Sequence, residues 1–293
     1  MSYEEKENIK TVRIGDEIYP ASLKDMYDPP KKIFYKGEFS ATDVKAVAIV
    51  GARQCSLYGT RIAEKFGYEL AAKGITVVSG MAKGIDSAAH RGALNAGGRT
   101  IAVMGSGFKH IYPAGSKDLC HKISRQGAVI TEFDHDIEPS KWTFPKRNRI
   151  VSGLSKGVVV IEAGVRSGAL ITVDFALQQG KEVFAVPGRI DMATSYGTNA
   201  LIKTGANPVT DVEDILEILG YDEKEKKGSG DNVLEDEVLI CDIIKKKSPV
   251  RIDLISELAK MDANIVSGIL LRLEIKGKIK ALPGKMYKNC KEK

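Results

Sequence analysis

Between residues 45 and 220, short apolar runs alternate with longer stretches of helical periodicity. The runs fall at residues 46–50, 75–78, 100–104, 128–131, 158–161 and 182–186. Each is rich in β-branched residues and ends at or near a Gly, Ser, Glu or Pro. Such runs predict strands buried on both faces. Between them, Ile62, Phe66 and Leu70 recur at i, i+4 and i+8, and Ile85, Ala88, Ala89 and Leu94 behave likewise. That spacing predicts amphipathic helices. Strands alternating with helices predict an α/β fold with a doubly wound, mostly parallel, Rossmann-like sheet.

The flanks read differently. Residues 1–43 form a lead-in with turn signals at Tyr19-Pro20 and Asp28-Pro29-Pro30 and a short extended run at Ile33-Phe34-Tyr35. It is expected to pack on the main domain, residues 44–220. Residues 221–232 are charged and Gly/Ser-punctuated, which predicts a linker. In residues 233–293 a first helix is expected through Leu234, Val238, Leu239 and Ile243. Two more follow at 252–260 and 263–276, then extended runs around Pro283-Gly284. Three helices followed by a hairpin predict a small C-terminal winged-helix domain.

Composition narrows the function classes. The net charge of +6 is modest for 293 residues, and aromatics are 6%, so any recognition of bases rests on a few named rings. The cysteines Cys55, Cys120, Cys241 and Cys290 are scattered, which argues against a zinc site or a disulfide framework and fits a reducing cytoplasm. The N-terminus is polar, and no apolar run approaches the roughly 18 residues needed to cross a bilayer. A cytoplasmic protein with no membrane contact, metal or cofactor is the expectation.

The candidate chemistry sits where strands end, at the edge where open α/β sheets bind ligands. Gly51-Ala52-Arg53 leads from the first of the six runs into Ser56 and Tyr58. It reads either as a phosphate loop below a helix N-terminus or as a plain tight turn. No G-x-G-x-x-G fingerprint is present there, which argues against a dinucleotide. Ser79, Gly80 and Lys83 form the next loop, followed by Asp86 and His90. That pair reads as acid and base or, more economically, as a carboxylate on the helix dipole and a packed histidine. Lys109 and Tyr112 follow the third run.

Residues 141–149 hold Lys141, Lys146, Arg147 and Arg149 with Asn148, Phe144 and the chain's one tryptophan, Trp142. Cations beside rings suit a single nucleic-acid strand, with charge for phosphates and ring faces for unstacked bases. The alternative is a solvated basic helix face over buried Trp142 and Phe144. Ser167 and Gly168 open a further helix after Glu162, and Arg189 follows the last run. Together these loops are expected to line one rim with an excess of cations, which favours a polyanion.

These residues resemble the DNA-processing protein A family (DprA, also called Smf). The resemblance runs through Gly51-x-Arg53 with Ser56-x-Tyr58-Gly59, then Ser79-Gly80-x-Ala82-x-Gly84-Ile85-Asp86 with Ala89-His90. It continues through Phe144-Pro145-x-Arg147-Asn148-Arg149-Ile150, Glu162-Ala163 with Ser167-Gly168 and Thr172, and Val186-Pro187-Gly188. It covers about residues 19–218 and continues into the C-terminal module. It implies an extended Rossmann domain and a recombination mediator that binds incoming single-stranded DNA. Such a protein works beside single-strand binding protein, loads RecA in natural transformation or homologous recombination, and forms homodimers. It also implies that positions matching Arg53, Lys141, Phe144 and Arg147 hold the strand.

The helical domain that often precedes the family's core is not expected here, since few residues stand before Tyr19. The loop 105–113 carries Phe108-Lys109-His110 where the family often has an acid. The C-terminal module resembles the family's winged-helix domain, for which contact with duplex DNA stands beside a partner-binding or stabilising role. Two other functions compete. One is a nucleotide-hydrolysing enzyme like the LOG or lysine-decarboxylase-like proteins, whose Gly-rich phosphate segment is missing after Glu162. The other is a winged-helix regulator that senses a nucleotide.

Overall fold

The computed structural model describes residues 9–221, 231–259, 261, 263–275 and 277–290. The chain forms two units, Met1–Gly220 and Tyr221–Lys293.

The first unit is built on a nine-stranded sheet among the described residues. Its strands are β1 (Lys10–Arg13), β2 (Lys32–Gly37), β3 (Ala46–Val50), β4 (Thr76–Ser79), β5 (Thr100–Val103), β6 (Ala128–Thr131), β7 (Gly157–Val160), β8 (Glu182–Ala185) and β9 (Asn207–Pro208). They lie in the order β1-β2-β6-β5-β4-β3-β7-β8-β9. From β3 to β9 all pairings are parallel, with Ala48 opposite both Val78 and Val158. β2 pairs antiparallel with β6, and β1 with β2. The expected α/β class is borne out, and each of the six apolar runs is a strand to within one residue.

Helices cover both faces: α1 (Ala21–Lys24), α2 (Leu57–Ala72), α3 (Ile85–Asn95), α4 (Lys117–Gln126), α5 (Thr143–Gly153), α6 (Ala169–Gln178), α7 (Tyr196–Lys203) and α8 (Val212–Ile218). Alternation along the strands divides the core. Ala46, Ala48, Val50, Val158 and Val160 pack with Ile150, Val151, Leu154 and Val173 on the face of α5 and α6. On the other face, Ala102 and Val129 pack with Cys120 and Ile123 of α4. The lead-in adds Val12, Tyr19, Leu23, Met26 and Ile33 to the first of these layers, so its strands complete the sheet edge. Tyr19 Oη donates to Pro30 O at 2.7 Å and pins the turn between them.

In the second unit α9 (Asp231–Lys247), α10 (Ile252–Ala259) and α11 (Ala263–Ile275) precede the hairpin β11 (Ile279–Leu282) and β12 (Met286–Asn289), with β10 (Val250–Arg251) pairing β12. Ile240, Ile244, Ile255, Val266, Leu270 and Leu273 form its core. Two sequence expectations need correction. The buried stripe of α9 runs through Ile240 and Ile244, while Val238 and Leu239 are exposed, because only the former face α10 and α11. The expected linker 221–232 falls mostly on residues outside those described, and its last two residues belong to α9.

Candidate functional site

The strand order places a switch point between β3 and β7. From β3 the chain adds strands outward to β6, then returns to the other side of β3 with β7. Connections on the two sides leave on opposite faces, so their loops part and leave a crevice beyond the strand ends. A cavity of about 740 Å³ opens there. Its lining includes Arg53, Lys141, Phe144, Ser167, Gly168 and Thr194.

Arg53 and Phe144 are its most defined pair. The guanidinium carbon of Arg53 lies 4.5 Å from the Phe144 ring centroid, and the Tyr112 ring packs against Phe144 at 5.4 Å. The ring needs Gly105 behind it, since a Cβ there would come within 2.8 Å of Phe144 Cδ1. Arg53 and Lys141 are exposed, and among the described residues neither has a carboxylate within 4.0 Å. Both cations are therefore free to meet an anion. At the same cavity, α6 begins at Ala169, and the preceding Gly168 supplies no side-chain cap. The Ala169 and Leu170 amides turn back onto Ser167 at 3.4 and 3.1 Å, and the helix dipole adds positive potential at this wall. A Cβ at Gly168 would meet nothing within 4 Å, so the cavity is open at this wall.

Behind the cavity lies a buried charge network. Arg147 is 4% exposed and donates through Nη1 to the Gly80 and Val103 carbonyls and through Nε to Asn148 Oδ1 at 3.1 Å. Burial pulls its guanidinium down to about 10 while the Asp86 carboxylate opposes the shift, so it stays charged at neutral pH. Burial pushes Asp86 up, and Arg147 counters it. Arg147 thus ties the ends of β4 and β5 together, although it also forms part of the cavity wall. Ser79, expected on the rim, instead donates from Oγ to Ile49 O at 2.6 Å inside the sheet.

His90 is fully buried with Nδ1 2.7 Å from Thr100 Oγ1. Burial, and then the charge of Arg147, push it down to about 3, so His90 is a neutral packing group and forms no solvent-facing pair with Asp86, which itself lines the inner wall of the cavity. The sign of the linkage follows. Unfolded, His90 charges near pH 6.5, whereas in the fold it stays neutral to about 3. Its contribution is flat above 6.5, and stability falls below that by about 1.4 kcal/mol per pH unit. Asp86, shifted upward, works in the opposite direction. Urea melts of His90→Gln should therefore show a shallower acid slope than the unsubstituted chain, and equal slopes would remove His90 as the cause.

The first loop is also corrected. The N-terminus of α2 is capped from within the chain, because Glu162 occupies it. The Ser56 amide donates to Glu162 Oε2 at 2.8 Å and the Ser56 hydroxyl to Oε1 at 2.5 Å, while Ser56 Oγ accepts from the Gly59 amide at 3.0 Å. The Ala52 amide donates to Glu162 O at 2.7 Å. A buried carboxylate from the chain itself caps the helix, so Ser56 is engaged within the chain, while Gly51 lines the cavity beside Arg53.

The remaining predicted residues divide. Asn148 lines the cavity and donates to Gly168 O at 3.3 Å. Arg149 points away, buried against Glu132 at 2.5 Å and the Asp28 carbonyl. Lys146 pairs with Glu132 at 3.5 Å, Lys109 with Asp136 at 2.7 Å and Arg189 with Asp191 at 2.6 Å. Lys83 and Tyr58 are exposed outside the cavity lining. Among the described residues the exposed cations of the cavity lining are therefore Arg53 and Lys141, with Lys83 exposed outside it. Sequence reasoning missed Gln54 and Thr194; the Thr194 hydroxyl oxygen is buried without a partner, and nothing in its surrounding sequence signals it.

Comparisons with known proteins agree with this architecture. Residues 10–220 match the family described as DNA recombination-mediator protein A, and residues 233–285 match the DprA winged helix domain. Protein Smf of Escherichia coli (strain K12) is 40% identical over 291 residues, covering 96% of this chain and 77% of its own length. DNA processing protein DprA of Streptococcus pneumoniae is 44% identical over 203 residues, 69% of this chain and 72% of that protein. Its solved structure, at 42% identity, superposes with a TM-score of 0.69 over 73% of this chain and 75% of that one. A structure that describes the single-stranded DNA binding mode of DNA processing protein A from Helicobacter pylori superposes with a TM-score of 0.66 at 30% identity, over 73% of this chain and 96% of that one. With its α/β unit and its winged helix both matched, the chain belongs to the DNA recombination-mediator protein A family.

Proposed function

We propose that this chain binds single-stranded DNA in the cavity between β3 and β7. There it acts as a recombination mediator that protects an incoming strand and loads RecA. The observation that carries the reading is Arg53 stacked on Phe144 beside an unpaired Lys141. This arrangement offers a cation for phosphate and an aromatic wall for an unstacked base, which a duplex does not expose. The Helicobacter pylori relative, whose structure is described by its single-strand binding mode, supports the same ligand. A homodimer working beside single-strand binding protein is part of the proposal, as the family resemblance implies.

We read the role as binding without turnover. The acid groups nearest the cavity are engaged, Glu162 with Ser56 and Asp86 in the buried network with Arg147. Labelled oligo-dT is expected to bind saturably and lose affinity with salt, while nucleoside monophosphates are returned unchanged. Release of free base would establish a nucleotide-hydrolysing enzyme instead.

For the winged-helix unit we propose contact with duplex phosphates through the hairpin and not through α11. Lys280 and Lys288 stand directly opposite each other across β11 and β12, both exposed, an arrangement that repels itself until an anion arrives. By contrast, Ile265 and Leu271 are exposed on α11, and neither reads base edges. Replacing both lysines by alanine should lower the log–log salt slope for duplex binding by about 2 and leave oligo-dT affinity unchanged. An unchanged duplex slope would assign the hairpin another role.

A further inference from the structure

Two positions before Phe144, the chain presents a second ring outside the cavity. Trp142 is 59% exposed, next to the fully buried Thr143. Its backbone is fixed because Thr143 is bonded reciprocally to Ser140. The Ser140 amide donates to Thr143 Oγ1 at 2.9 Å, and Thr143 Oγ1 donates to Ser140 O at 3.0 Å. Its ring is fixed by Phe133, 5.6 Å away and nearly perpendicular at 81°. Phe133 is itself 5% exposed and therefore anchored in the core. Perpendicular packing engages one edge, so at least one face of the indole is left to solvent. Its chain neighbour Lys141 is an exposed cation on the cavity wall, while Lys146, whose Nζ lies 5.7 Å from the Phe133 centroid, is held by Glu132 at 3.5 Å.

An exposed indole immobilised beside Lys141 has the properties of a stacking platform. It loses little rotamer freedom on binding, every base offers it a π-face, and the Lys141 cation next to it is free to meet a phosphate. We infer that Trp142 stacks a base of the bound strand just outside the cavity, so that the strand runs from Phe144 out across residues 141–146. This rests on the single-strand reading of the cavity. It adds a second aromatic contact that extends the site beyond the cavity walls.

The chain's one tryptophan reports on itself. Intrinsic emission of the full chain is titrated with oligo-dT, and anisotropy of a labelled oligo-dT is followed in parallel. The expected result is quenching that saturates with the anisotropy signal. Trp142→Ala should lose about tenfold in affinity, and Trp142→Phe, which keeps a ring, should stay within about threefold. Saturable binding with unchanged emission, or full affinity in Trp142→Ala, would overturn the platform and leave the cavity reading standing. Absence of any oligo-dT binding by the unsubstituted chain would overturn both.

Discussion

Arg147→Ala is expected to destabilise the first unit by about 3–5 kcal/mol. The side chain is almost fully buried and holds the Gly80 and Val103 carbonyls at the ends of β4 and β5. Truncation leaves those two acceptors unpaired, each costing on the order of 1–3 kcal/mol. It also strips Asp86 of the cation that offsets its burial. A Cβ on Gly80 would sit 2.3 Å from Arg147 Nη1, so Arg147 in this position leaves no room for a side chain at 80. Equilibrium urea unfolding, followed by circular dichroism, measures the effect. A variant of unchanged stability that had lost only its affinity for DNA would make Arg147 a phosphate ligand instead.

Arg53→Ala is expected to do the reverse. It is exposed, lies over the Phe144 ring and has no carboxylate partner among the described residues, so stability should change by no more than about 0.5 kcal/mol. Affinity for oligo-dT should fall by about 1–3 kcal/mol, and the log–log salt slope by about 0.7, the share of one single-strand phosphate contact. Anisotropy across a salt series reads both quantities. A fall in affinity with an unchanged slope would mean that Arg53 supports Phe144 but does not touch phosphate.

These two arginines show what was legible in the sequence. Strand ends were, because six β-branched runs fixed both the sheet and the edge where its loops gather. That edge is where Arg53, Lys141 and Phe144 meet. Charge counted along residues 141–149 could not separate ligand-facing cations from structural ones. Helical periodicity does so: Phe144, Arg147, Asn148 and Val151 follow i, i+3, i+4 and i+7 and share the cavity face, whereas Lys146 and Arg149 turn toward Glu132. The cap at Ser56 was illegible for a different reason. Its acceptor, Glu162, lies 106 residues away, and only the parallel pairing of β3 with β7 brings the two loops together. Trp142 divides the same way, since sequence offered both a buried and a base-stacking ring and only packing on Phe133 shows it exposed.

The central claim is that a single strand occupies the cavity at the switch point. Photocrosslinking of the full chain to an oligonucleotide carrying 4-thiothymidine, followed by peptide mapping, tests it most directly. The account predicts adducts in the peptides that contain Phe144 and Arg53, lost on competition with unlabelled oligo-dT and retained against an equal amount of duplex. Adducts confined to residues 231–290 would contradict it and move the single-strand site to the winged-helix unit.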